Sequence, residues 1–471
     1  MPSAYYNLLT ERDVESIHHA ALKVLAEVGV RVESEALLGI LSDSGGGVDL
    51  GGLRVRFAAD RVERFIADST KYDWGAHRPG FHTFAGIYAC LYLDPETDRL
   101  EPFTEQTYRD YIRVGNALSD IDVMSTLGIP FACDDIPPAY GALAEKLYGW
   151  KYGASPSGTV QFTGLCPYLE EMYGRRAAEL GRPLEEVFHA SGYLVSPLRL
   201  ARTECEQLLY FRSRGLRMST GHLLSMGASA PITAAGAVVL NLAESLFIGI
   251  LNRVLWGFSS FYVGGGPMVM DMRTTTSMYG RPERIVTSAM LGQIARWYGV
   301  GSGSHAGLSD AKEPSVQAGM QKAMGVVPGI YACGSASMDA GLLSIDEICS
   351  PEQLIYDNEL ASAVRRTLEA VDLSDEALAV ADIADAGPGG TFIGSDLTAK
   401  RFRTEIWQPA IWARSSAKEW LAAGAVTDRQ RAKARIREIL SGPAPEPGLS
   451  EECERDLRAV IARAATTDAA Q

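Results

Sequence analysis

The stretch Ser219–Glu244 reads STGHLLSMGASAPITAAGAVVLNLAE, and its interpretation decides the fold. A short strand over Leu216–Gly221 is expected to end in His222. A loop of small residues follows, and a helix is expected to open at Pro231, since proline suits the first turn, where its missing N–H would be unpaired anyway. Strand, loop and helix in this order make the unit of a parallel α/β protein. The loop brings His222 and free backbone N–H groups to one rim.

The same rhythm extends along the chain. Strand-like runs occur near Ile121–Leu127, Thr159–Thr163, Phe188–Tyr193, Leu216–Gly221, Phe258–Val263, Gly299–Ser304, Gly329–Cys333 and Gly390–Ile393, with helical stretches between them. This alternation predicts an α/β fold, a (β/α)8 TIM-type barrel with additional N- and C-terminal helical segments. A doubly wound open sheet fits the same periodicity. Three parts are expected: a helical, loop-rich extension over 1–118, the barrel over 119–425 and a helical segment over 426–471. In the first, Thr10–Asp13 has the form of a capping box and Gly29 stops the helix it starts. In the last, the proline-rich stretch Ser441–Gly448 joins two helical runs.

Composition limits the function. The chain has 471 residues and a formal net charge of −14, which argues against nucleic acid or an anionic membrane as partner. Asn7, Glu11, Arg12 and Asp13 interrupt any signal-peptide core, and no stretch was expected to reach the roughly 20 apolar residues of a spanning helix. Seven scattered cysteines without a C-x-x-C pair suggest reduced thiols and a cytoplasmic location. With no H-x-H or H-E-x-x-H motif, no metal site is expected.

Candidate site residues lie after the strands. His222 is either a hydrogen-bonded structural histidine or a catalytic group on the rim. The loop Ser225–Ala230, ahead of a helix N-terminus, would suit a carboxylate. Gly264, Gly265 and Gly266 allow close approach of a cofactor. Asp271 and Arg273 either pair with each other or meet substrate. His305 would face the pocket, with Asp310 beside it. Lys312 either forms a Schiff base, as in a barrel lyase or aldolase, or joins Asp310 as a cap on the next helix. Tyr193, Phe261 and Tyr262 would supply rings for a quaternary ammonium.

Eight segments then resemble the trimethylamine/betaine corrinoid methyltransferase family. They are Leu9–Ser34, SPLRL (Ser196–Leu200), GASAPITAAG (Gly227–Gly236), MDMRT (Met270–Thr274), GRPE (Gly280–Glu283), SDAKEPSVQAGMQKA (Ser309–Ala323), LIYDNEL (Leu354–Leu360) and GPGGTFIG (Gly387–Gly394), in order along nearly the whole chain. The resemblance implies a (β/α)8 barrel that moves a methyl group from an amine to the cobalt of a separate corrinoid protein. Trimethylamine members carry pyrrolysine near the segment matched by Ser302–Leu308, where this chain has ordinary residues. The resemblance therefore implies a quaternary amine such as glycine betaine and a corrinoid (cobalamin) supplied by a partner protein; a homo-oligomer is expected only because such assemblies are common among soluble enzymes. A non-catalytic betaine-binding homologue is the other reading. Thr391 and Leu397 stand where the family pattern suggests histidines.

Overall fold

The computed structural model describes residues 5–470. The α/β class expected from the alternating pattern is present, with parallel strands at its centre. One five-stranded parallel sheet runs Ser304–Ala306, Ser335–Asp339, Gly80–Ile87, Val123–Thr126, Ser155–Pro156. Beyond it Thr159 bridges Ser191 in parallel, and Ala190–Leu194 pairs with Met218–His222. Ser225–Met226 pairs with Met268–Asp271, and Tyr262 and Gly265 bridge Gly301 and Ser304. All of these contacts are parallel except the hairpin between Met268–Asp271 and Thr276–Met278.

Two expected strands are corrected. Gly329–Cys333 is the last turn of the helix Val316–Cys333. A short apolar run reads the same in a strand and in a buried helix end. The strand begins only after Gly334, which caps the helix with φ 78°. Gly390–Ile393 is no strand but a turn, with Ile393 89% exposed. The missing strand is Gly80–Ile87, within the expected helical, loop-rich extension, and it lies in the middle of the five-stranded sheet. Its residues alternate sides. Phe81 and Thr83 are buried, Phe81 beneath the Arg365 guanidinium, while His82 faces a cavity. Alternation that mixes glycine, histidine and threonine is a faint strand signal.

The helix after His222 begins at Ala234, capped by Thr233, three residues later than Pro231 suggested. It runs 23 residues to Trp256 and is buried along most of its length. The expectation that no stretch could span a membrane is corrected here, since this helix is long and apolar enough by length and composition. Leu242, Leu246, Phe247 and Leu251 are fully buried in it, as in a core helix.

At the N-terminus, Thr10 and Asp13 form the expected capping box over Glu11–Lys23. Val30–Val32 pairs with Arg54–Arg56 and with Arg199–Leu200, tying this part to the main body. At the C-terminus, Asp428–Ser441 packs on Pro351–Leu368 and Glu105–Asn116, and Glu451–Thr466 packs on Cys166–Leu180. The cysteines are all free, and all are buried except the half-buried Cys133.

Candidate active site

A cavity of about 480 Å³ opens among the strand ends. Tyr88 and Leu127 line it directly after Gly80–Ile87 and Val123–Thr126, and Tyr193, His222 and His305 line it from within their strands. The ends of parallel strands are where α/β proteins place ligands.

Three polar groupings face the cavity. In the first, His305 Nε2 and Asp339 Oδ2 are 2.7 Å apart, on neighbouring strands. The Asp339 charge raises the His305 pKa. Burial pushes Asp339 up, but His305, Lys322 and Arg284 outweigh it and the carboxyl stays below its usual value. Behind it, buried Lys322 donates to the Asp339 carbonyl at 2.8 Å and to Asp357 at 2.8 Å.

The second grouping centres on Asp346. Burial and then the neighbouring Asp339 push its pKa to about 6. Tyr279 Oη donates to its Oδ2 at 3.0 Å, while Oδ1 is buried without a partner. Asp346 reaches the cavity from an unusual backbone. Ser344, Ile345 and Asp346 have φ of 52°, 55° and 65° in succession. Left-handed conformations cost non-glycine residues roughly 1–2 kcal/mol each, so other bonds must hold the turn. Lys312 Nζ donates to Ser344 Oγ at 2.6 Å, Ser344 Oγ donates to Glu347, and Ser344 N–H donates to the Ala311 carbonyl. Beside Asp346, the Arg284 guanidinium lies over the Tyr279 ring and donates to the His305 carbonyl. Its Nε and Nη1 have no partner.

In the third, His222 Nδ1 is 3.4 Å from Glu244 Oε2 without hydrogen-bonding geometry. Glu244 instead accepts from Ser196 Oγ and Leu198 N–H, each at 2.8 Å. Burial alone pushes His222 down to about 4, and burial pushes Glu244 up to about 7 against those two hydrogen bonds. His222 is therefore neutral at pH 7.

Aromatic rings complete the wall: Tyr88, Tyr193, Tyr262 and Tyr279. Burial raises the phenols of Tyr88, Tyr262 and Tyr279, so these rings stay uncharged. Gly264, Gly265 and Gly266 also line it. A Cβ on Gly264 would lie 2.6 Å from the Gly303 carbonyl, and one on Gly266 would collide with Ser288 Oγ, so both glycines let strands and helix pack. Gly265, with φ 90°, has open space where its side chain would be.

The structure thus brings together His222, His305, Tyr193, Tyr262 and the three glycines. Five candidate residues lie elsewhere. Asp310 accepts from the Tyr279 and Gly280 N–H groups at 2.7 and 3.1 Å, latching the chain behind the cavity. Asp271 accepts from the Arg273 N–H at 2.9 Å and lies 3.6 Å from Arg281, and the Arg273 side chain is exposed. Phe261 is buried against Phe65, its ring on the opposite side of the strand from Tyr262. Lys312 neither lines the cavity nor caps a helix, since Ser315 caps Val316–Cys333. Among the described residues no lysine lines the cavity, which leaves the imine reading without a nucleophile there. Among the described residues, no three His, Cys, Asp or Glu side chains are grouped to hold a metal. His82, Glu244, Tyr279, Arg284, Asp339 and Asp346 were not predicted. For Arg284 and Tyr279 the signal was their position flanking GRPE, and for Asp346 there was none.

Comparison with known proteins matches residues 2–79 and 169–467 to the model of the family described as trimethylamine methyltransferase (MTTB). The trimethylamine methyltransferase MttB of Desulfitobacterium hafniense strain DSM 10664 / DCB-2 is 27% identical over 469 residues, covering 96% of this chain and 92% of that protein. The glycine betaine methyltransferase of D. hafniense strain Y51 is 26% identical over 483 residues, covering 97% of each chain. The crystal structure of the monomethylamine methyltransferase MtmB of Methanosarcina barkeri aligns with a TM-score of 0.42 at 12% identity, covering 91% of this chain and 93% of that one.

Proposed function

The chain belongs to the trimethylamine methyltransferase (MTTB) family, and from that membership we propose that it transfers a methyl group from a quaternary amine, glycine betaine or a related betaine, to the cobalt(I) of a corrinoid carried by a partner protein. The observation that carries the choice of substrate is the cavity's pairing of tyrosine rings and a carboxylate with an unpartnered oxygen, Asp346 Oδ1, with a guanidinium whose Nε and Nη1 are unpartnered, Arg284. A zwitterion needs both.

In this reading Tyr88, Tyr193, Tyr262 and Tyr279 surround the ammonium through cation–π attraction, and Asp346 supplies the negative charge. Arg284 takes the carboxylate, a role the sequence suggests for the loop Ser225–Ala230. His305, oriented by Asp339, and neutral His222 position the substrate between them. The corrinoid, when docked, supplies the nucleophile. The open space at Gly265 would leave room for that group beside the cavity. A quaternary nitrogen leaves as a neutral tertiary amine, so the chain need move no proton to it. Its residues have only to orient the N–CH₃ bond toward the mouth and exclude water.

We further infer that the parallel strands close into the (β/α)8 barrel. The pairing of Gly80–Ile87 with Ser335–Asp339, together with the bridges Thr159–Ser191 and Tyr262–Gly301, supports closure. On that reading the barrel begins at Gly80 instead of residue 119, with terminal helical segments on either side. A cytoplasmic setting suits a corrinoid partner and free thiols.

The test is absorbance of methylcobalamin with reduced cob(I)alamin and a panel of glycine betaine, proline betaine, carnitine, choline and trimethylamine. Methylation with one betaine supports the proposal. Calorimetric binding of a betaine with no methylation, even with a cognate corrinoid protein, favours the non-catalytic binder. Neither binding nor methylation rejects the substrate assignment.

A further inference from the structure

Glycine betaine leaves much of the cavity empty. The cavity holds about 480 Å³. Even at a full water's share of about 30 Å³ for each of its roughly eight non-hydrogen atoms, glycine betaine takes up about 240 Å³. The groups assigned to its two charges stand together, since the Arg284 guanidinium lies over the Tyr279 ring and the Tyr279 hydroxyl donates to Asp346. The wall at His222 is built from other elements, the strand Met218–His222 and the helix Ala234–Trp256. Met218–His222 pairs with Ala190–Leu194 along one edge, and among the described residues no strand pairs along its other edge. The helix packs on this strand. Asn241 and Glu244, three residues apart, share one face of it. Glu244 Oε2 lies 3.4 Å from His222 Nδ1, and Asn241, 2% exposed, lines the cavity.

Three polar groups are left open at this wall. His222 Nδ1 is buried without a hydrogen-bond partner. Thr220 Oγ1, two residues earlier and so on the same face of the strand, is buried without one as well. The Asn241 side chain accepts a long hydrogen bond, 3.5 Å from Ser245 Oγ, and among the described residues its amide N–H groups meet no acceptor. A buried polar group costs stability unless something bonds it, so three of them beside a cavity call for a ligand group. The chemistry of that group follows from its surroundings. His222 is neutral at pH 7, and Thr220 and Asn241 carry no charge. A carboxylate here would face the buried Glu244 carboxyl across an uncharged imidazole. A quaternary ammonium has no N–H to donate and no lone pair to offer. A hydroxyl both donates and accepts, so it satisfies the imidazole and the amide together.

We propose that His222 and Asn241 form a hydroxyl-binding subsite, so that the substrate is a betaine larger than glycine betaine with a hydroxyl on its carbon skeleton. The inference rests on the betaine reading of the cavity and deepens it. Asn241 sets the preference in this arrangement, since leucine in its place keeps the size of the side chain and loses the donor. Holding the substrate at a carboxylate and at a hydroxyl fixes its rotation in the cavity. The N–CH₃ bond to be broken is then held in one direction, which is what an in-line attack requires.

Calorimetry on the wild-type chain with two matched pairs of ligands needs no variant. The pairs are carnitine with γ-butyrobetaine and 4-hydroxyproline betaine with proline betaine, and glycine betaine is the short reference. In at least one pair the hydroxylated member should bind at least about tenfold tighter than its partner, because a site built for a hydroxyl rejects the analogue that lacks it. The same ligand should also bind tighter than glycine betaine. Asn241→Leu, with its circular dichroism unchanged, should bring the ratio below about threefold. Equal affinities within both pairs, or a ratio that survives Asn241→Leu, would overturn the subsite. Glycine betaine binding tightest of the five would also overturn it and leave the betaine reading standing. Binding of none of the five would reject the betaine reading and the subsite with it.

Discussion

Asp346 is the residue whose behaviour most directly reports the ligand. Burial raises its pKa from 3.8 to about 6, so below that pH the folded protein holds it protonated. A bound ammonium prefers it ionised. Binding therefore releases a proton at low pH, and affinity for glycine betaine should rise as pH passes through about 6 and level off above. Calorimetry between pH 5 and 8 checks the slope, and Asp346→Asn should flatten it. Arg284 tests the other end. Arg284→Met should weaken glycine betaine about 10- to 100-fold, the usual value of a lost charged hydrogen bond, while tetramethylammonium binding changes little. Equal losses for both ligands would mean that Arg284 only supports the wall. His222 and His305 are the two predicted histidines that reach the cavity, and losing less than about threefold in activity on replacing both with alanine, far below the loss expected for positioning groups, would remove them from the mechanism.

The turn Ser344–Asp346 and the helix Val316–Cys333 show how local chemistry serves the cavity. Three successive left-handed residues persist only because neighbours hold them, and the Lys312 ammonium on Ser344 is one such hold. Lys312→Ala should lower stability by about 1–2 kcal/mol and weaken betaine binding, with secondary structure unchanged by circular dichroism. Binding that stays intact would show that the turn stands without it. Ser315 caps the next helix through the Ala318 N–H. Ser315→Ala should cost about 1 kcal/mol in denaturant melts without altering substrate preference.

Across the molecule, the buried Lys322–Asp357 pair joins the strand Ser335–Asp339 to two helices. Both side chains are out of water, so removing one leaves an uncompensated charge. Lys322→Met should destabilise the protein by about 3–5 kcal/mol, seen as a lower Tm, and should disturb the His305–Asp339 contact. A change below about 1 kcal/mol would show that Asp357 finds another partner.

Much of the fold was legible from residue patterns. The capping box at Thr10, the strand ending in His222 and the alternation after residue 120 follow from short-range rules of backbone geometry and apolar spacing. So does the placement of His222, Tyr193, Tyr262 and His305 near strand ends, because side chains there must face either the cavity or the helices. Other features depend on contacts between distant residues. Gly80–Ile87 is a central strand because Ser335–Asp339 and Val123–Thr126 flank it, and its own residues scarcely say so. Asp310 and Asp346 are both aspartates after a strand. One became a backbone latch because the Tyr279 and Gly280 N–H groups meet it, and the other faces the cavity because a left-handed turn aims it there. Local sequence carries propensity and periodicity, whereas burial, charge partners and pKa belong to whatever the folded chain brings within a few ångströms.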